Sequence, residues 1–193
     1  ESDAKLARVS GSREEISALR HAQLDLDMPI SSIGLSGHRK DPLGHPDPAI
    51  QAQSLEIMKK AINLAVQLDV RVIQLAGYDV YYEPSTPQTR ADFAKNLAKC
   101  VHMAARQGVI LGFETMETPF LNTVTKAMHW VNRMASPYLQ VYPDIGNLTN
   151  PAVQYESDVY QDLLAGAGHP AAVHLKETPP GVFRQVPFSP RPW

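Results

Sequence analysis

Two hydrophobic periods take turns along this chain. Ser12 and Glu15 form a capping box, and Ile16, Leu19 and the Ala22/Gln23 region follow at helical spacing, so a first helix is predicted from Ser12 to about Leu24. Pro29 to Gly37 is small and apolar and reads as a strand, followed by turn residues in DPLGHPDP. From Ala49 to Leu68 the helical period returns, with Leu55, Met58, Ile62, Ala65 and Val66 on one face and Lys59 and Lys60 off it. VRVIQLAG, Val70 to Gly77, is a β-branched run of the kind buried on both faces of a parallel sheet. An aromatic loop, Tyr78 to Tyr82, leads to a helix over Arg90 to Gln107, with Phe93, Leu97, Cys100, Val101 and Ala104 on its packing face. The alternation continues with VILGFE ending at Glu114, a helix from Thr123 to Met134, and LQVYPD ending at Asp144. A short helix from Asp158 to Ala165 and the strand AAVHLK close it. Five apolar runs alternating with amphipathic helices predict an α/β fold on a parallel sheet. A closed (β/α)₈ barrel needs eight strands and about 250 residues, so a barrel reading leaves about three strands outside this sequence.

Composition narrows the function classes. The 193 residues are enough for one sizeable domain, and no apolar run is long enough to span a bilayer. A net charge of −2 and a pI near 6.4 give no electrostatic reason to expect nucleic acid or an anionic membrane as partner. The single Cys100 rules out an internal disulfide and fits a reducing, cytoplasmic compartment. Its place on a packing face makes it a small core residue. The opening ESDAKLARV lacks an initiator Met and reads as mid-loop, and VPFSPRPW is a proline-broken tail. Both ends therefore lead to the expectation of a truncated chain.

The chemistry concentrates between Glu114 and His174. Glu114, Asp144 and His174 each end or interrupt an apolar run, and they are spaced thirty residues apart, the length of one βα unit. In parallel α/β folds the carboxyl ends of the strands carry the site. A mixed oxygen and nitrogen donor set there suits a divalent ion such as Mn²⁺, Co²⁺, Zn²⁺ or Mg²⁺. Each residue has an alternative. A carboxylate after a strand can simply cap the next helix, and His174 can be a satisfied core histidine. On the same rim stand His38, Tyr78, Asn147 and Lys176 as candidate substrate contacts. Gly146, in the turn PDIGN, would let the backbone turn towards a ligand. Lys176 has two readings, a contact to a substrate phosphate or a reach into solvent. HExxH, P-loop and GxGxxG patterns are absent, which leaves zincin, nucleotide-hydrolase and dinucleotide readings without a motif.

The phrases LSGHRKDPLG, LEIMKKAI, VRVIQLAGYDVYYE, YPDIGNL and AVHLKETPPGVFRQVPF carry a resemblance. From about Ser12 to Phe188 the chain resembles the bacterial L-ribulose-5-phosphate 3-epimerases, which also act on L-xylulose 5-phosphate and belong to the xylose-isomerase-like barrel superfamily. The resemblance implies a single (β/α)₈ TIM-barrel domain, here incomplete, with the third to seventh strands present and a divergent tail at residues 189–193. It implies a divalent metal held by Glu, Asp, His and a second Glu, the first three falling on Glu114, Asp144 and His174. The implied reaction removes the C3 proton of a ketopentose phosphate beside the C2 carbonyl and returns it on the other face, through a metal-stabilised enediolate. Glu114 is then one proton-transfer carboxylate. The second Glu belongs to the last strand of the barrel, and this sequence turns to SPRPW instead, which leads to the expectation of an inactive or impaired fragment. The implied partner is a small sugar phosphate, with a homo-oligomer as the expected assembly. Two other functions fit the same residues: a non-catalytic metal- or sugar-phosphate-binding remnant, and an endonuclease-like metal phosphodiesterase, against which the acidic pI counts.

Overall fold

The structure, a computed structural model, describes residues 8–181. A 3₁₀ turn at Arg8–Ser10 precedes α1 (Arg13–Asp25), whose Ser12 and Glu15 form the expected capping box. The alternating units are β1 (Ile33–Leu35), α2 (Pro48–Gln67), β2 (Val72–Ala76), α3 (Pro87–Ala105), β3 (Ile110–Glu114), α4 (Val124–Met134) and β4 (Leu139–Tyr142). Two further helices follow, α5 (Ile145–Gln154) and α6 (Val159–Leu164). The four strands are parallel and lie in chain order, β1-β2-β3-β4. A doubly wound sheet reverses its order at a switch point; strands added always on the same side are the winding of a barrel wall.

The two faces of this wall differ. Ile73, Leu75, Leu111, Phe113, Leu139 and Val141 point to the helices and are essentially buried. They meet Met58, Leu97, Cys100, Val101 and Trp130 from α2, α3 and α4 in one continuous core. Phe93 knits the layers, with ring centroids 6.2 Å from Phe113 and 5.1 Å from Trp130. Each such large side chain contributes roughly 1.5–3 kcal/mol by its burial. Cys100 is fully buried, and burial pushes its thiol up to about 12, as expected of an inert core residue.

On the opposite face Val72, Gln74 and Ala76 are only partly buried. The expectation that β2 is buried on both sides is met in full on one face only: the second face is partly covered, and a polar Gln74 sits in its middle. The predicted strand from Pro29 to Gly37 shortens to three residues, because Ser36–Arg39 coils into a 3₁₀ turn. In α2 the buried stripe runs through Ile57, Met58, Ala61, Ile62 and Ala65, which turns Val66 out to 38% exposure. Leu19 of α1 is likewise 47% exposed.

The fifth predicted strand, AAVHLK, is the largest departure. It runs parallel to β4 and bonds to it, with Ala171 N–H donating to the Val141 carbonyl and His174 N–H to that of Pro143. Its pairing with β4, however, is reduced to isolated bridges at Val141–Pro170 and Asp144–His174. Pro143 has no N–H to give, so the ladder is interrupted between them. Val173 and Leu175 are left 45% and 69% exposed. The tail predicted as divergent lies outside the described residues. Among the described residues, no helix is long and apolar enough to cross a membrane.

Candidate functional site

Strand registry brings the three candidate ligands to one rim. Glu114 is the last residue of β3 and pairs in register with Tyr142 of β4. Asp144 lies two residues beyond Tyr142, and the Asp144–His174 bridge sets the histidine beside it. Donor atoms of Glu114, Asp144 and His174 all lie within 4.8 Å of one another. His174 Nδ1 stands 3.1 Å from Asp144 Oδ2 and 3.5 Å from Glu114 Oε1. With its side chain 46% exposed, His174 is not the core histidine of the alternative reading.

Asp144 resolves its own two readings by splitting its oxygens. It is the N-cap of α5, Oδ1 accepting the Asn147 N–H at 2.9 Å. That helix was missed from sequence: Gly146, Asn147 and Pro151 all oppose helix formation locally, and the PDIGN segment reads as a bare turn. Oδ2 instead faces the cluster. It is buried and accepts no hydrogen bond, although the His174 ring and the Lys176 ammonium (3.0 Å) approach it closely. A desolvated carboxylate oxygen that accepts no hydrogen bond, beside a second carboxylate and an imidazole, fits a divalent cation.

Thr115 locks this arrangement, and the sequence reading did not find it. Its hydroxyl meets both the N–H (2.9 Å) and the carbonyl (3.3 Å) of Asp144, and its own carbonyl accepts from Asn147 Nδ2 at 2.8 Å. Its adjacency to Glu114 is the signal that was available. Glu114 is less constrained. Burial, then the Asp144 charge, raises its carboxyl above the ordinary range, and His174 partly offsets this.

The remaining rim candidates have protein partners. His38 is buried with Nε2 at 3.1 Å from the Ser54 carbonyl of α2, and burial lowers its pKa to about 4. It is a neutral strut between β1 and α2, and it is not brought to the cluster. Tyr78 is 2% exposed, and its hydroxyl accepts from Arg39 Nε at 3.2 Å. Arg39, overlooked in the HRK triplet, lines a cleft of about 100 Å³ together with Gly34, Ser36, Gln74, Ala76 and Glu114. Asn147 is buried and fully engaged by Thr115 and Lys176, the latter at 2.6 Å. Lys176 does not reach into solvent; its side chain is 11% exposed and turned onto Asp144.

Gly146 has a different purpose from the expected turn. A Cβ there would lie 2.5 Å from Thr178 Oγ1, 2.7 Å from Lys176 Cε and 2.9 Å from the Lys176 carbonyl. The missing side chain lets the 174–178 segment dock against α5. Gly146→Ala is expected to cost about 1–3 kcal/mol by overpacking. The His174 amide, bonded to Pro143, should then exchange with solvent faster than amides of β3; equal protection would contradict the docking role.

Residues 2–190 match the family model of the xylose isomerase-like TIM barrel, and the chain belongs to that family. It is 47% identical over 188 residues to L-ribulose-5-phosphate 3-epimerase UlaE of Salmonella typhimurium and to that of Salmonella enteritidis. These matches cover 97% of this chain and 65% of each relative, so the chain spans about two thirds of their length. The resemblance seen in the sequence is thereby borne out. Among solved structures, a D-psicose 3-epimerase crystallised with D-fructose superposes with a TM-score of 0.75 at 17% identity, covering 88% of this chain and 60% of that one. An L-ribulose 3-epimerase gives 0.70 at 24% identity, over 84% and 55%. At such identities these likenesses establish the fold.

Proposed function

We propose that this chain carries a metal-dependent 3-epimerase site for a ketopentose phosphate, L-ribulose 5-phosphate or L-xylulose 5-phosphate. The observation that carries the proposal is the convergence of Glu114, Asp144 and His174 within 4.8 Å at the carboxyl rim of the barrel wall. The relatives, named for this activity, support the choice of substrate. Those three donors would hold a divalent ion such as Mn²⁺, Co²⁺, Zn²⁺ or Mg²⁺, which would supply Lewis-acid polarisation of substrate oxygens.

The residues divide the remaining tasks by their environments. Asp144 is fixed by Thr115 and by the N-terminus of α5, so it holds position. Glu114 borders the open cleft and has a carboxyl biased towards its protonated form. That bias suits a group which takes a proton from the carbon beside the ketose carbonyl and gives it back. Among the described residues, Glu114 is the one carboxylate of the cluster free of a capping duty. Inversion returns the proton on the opposite face of the carbon, so exchange at C3 is the readout that reports proton transfer by Glu114 itself.

The test is the chain with Mn²⁺ and L-ribulose 5-phosphate in deuterated water, followed by NMR. Deuterium incorporation at C3 is expected. Metal binding with no exchange at C3 would identify a non-catalytic binding protein instead.

A further inference from the structure

The Lys176 ammonium lies 3.0 Å from Asp144 Oδ2 and 2.6 Å from Asn147 Oδ1, with the lysine side chain 11% exposed. A carboxylate as buried as Asp144 is strongly disfavoured without a counter-charge. Its Oδ1 is committed to the cap of α5, so compensation has to come through Oδ2. Oδ2 is also the oxygen that faces Glu114 and His174. Lys176 and a divalent ion therefore address the same atom.

The two lysine contacts are unequal. Towards Asn147 the ammonium makes a short hydrogen bond, and Asn147 is itself anchored to the Thr115 carbonyl. Towards Asp144 Oδ2 the approach is ionic and lacks hydrogen-bond geometry. Such a contact can be surrendered while the other holds. The backbone path that makes both possible depends on Gly146, against which Lys176 lies.

We infer that Lys176 is the resident counter-cation of this site: it neutralises Asp144 in the metal-free chain, releases Oδ2 to an entering divalent ion, and stays tethered to Asn147. This rests on the metal-site reading above. In this role Lys176 is a positioning residue. It lets the rim assemble without metal, at the expense of metal affinity, because a positive charge beside a ligand oxygen opposes a second cation.

Removing the charge should therefore have two opposite effects. Lys176→Met lowers the Tm of the metal-free chain and binds Mn²⁺ more tightly, by about tenfold or more, since one unit charge at this range outweighs 1.4 kcal/mol in a partly buried site. Lys176→Gln, which keeps a donor for Asn147, carries the same expectation. Lys176→Arg keeps the charge and should bind like the parent. Mn²⁺ titration calorimetry and the Tm with and without Mn²⁺ read these effects without reference to activity. A purely structural lysine would lose stability and affinity together. Parent-like or weaker Mn²⁺ binding by both neutral variants overturns the inference, as does a variant that stays unfolded in saturating Mn²⁺. Failure of the parent chain itself to bind Mn²⁺ would overturn the metal-site reading instead.

Discussion

Replacing Asp144 by Ala is expected to remove about 3–5 kcal/mol of stability and divalent-ion binding in a single step. The cost has two sources. Lys176 loses the carboxylate it faces at 3.0 Å while remaining largely buried. The first turn of α5 loses the oxygen that accepts the Asn147 N–H, which alone is worth about 0.5–2 kcal/mol. Asp144→Asn separates them, since Asn caps a helix as well as Asp but brings no charge. Urea unfolding should rank parent, Asn and Ala in that order, and both variants should fail to bind Mn²⁺. If the Asn variant binds as tightly as the parent, Oδ2 is not a ligand.

Glu114→Gln should behave in the opposite sense. Burial and the neighbouring Asp144 raise the Glu114 carboxyl above its ordinary value, which is about 4.3 in an unstructured chain. Between the ordinary and the raised value the folded chain holds a proton that the unfolded chain has released. The stabilisation from that proton is complete below the ordinary value and is lost as pH rises through the raised one. Gln cannot ionise, so the variant should be more stable than the parent at pH 7 without metal, and the difference should close on acidification. Exchange at C3 should meanwhile fall by about 10²–10⁴, the usual worth of a positioned general base. Saturating Mn²⁺ should narrow or reverse the stability gap, because only the carboxylate binds the ion well. A less stable metal-free Gln variant at pH 7 would show that the carboxyl is not disfavoured where it stands.

These two substitutions act on residues picked out from spacing, and the contrast between them was not visible there. Both are acids at the end of an apolar strand, thirty residues apart. One is locked by Thr115 and a helix N-terminus, the other borders a cleft. That difference comes from what β4, α5 and the 174–178 segment place around each carboxyl.

The same division holds across the molecule. The winding of parallel strands and helices, the capping box at Ser12 and the packing face of α3 with Cys100 were legible, because each is a pattern of near neighbours in sequence. Helix α5 was hidden because Gly146 and Pro151 weaken it locally, and its cap and its packing against the 174–178 segment restore it. The AAVHLK segment has strand composition, yet the missing N–H of Pro143 on the adjoining strand interrupts its ladder. The sequence places His38 and Lys176 on the rim without their partners; in the fold the first meets the Ser54 carbonyl and the second Asp144 and Asn147.

By itself, then, the sequence determined the fold class and the trio Glu114, Asp144 and His174, since strand period and unit length are set by the backbone and repeat along the chain. Tertiary structure alone decided which oxygen of Asp144 caps and which faces the cluster, where Lys176 puts its charge, and which rim residues are struts. Side-chain direction over distances of thirty residues depends on burial and on partners for desolvated polar groups, and those exist only once the chain has folded.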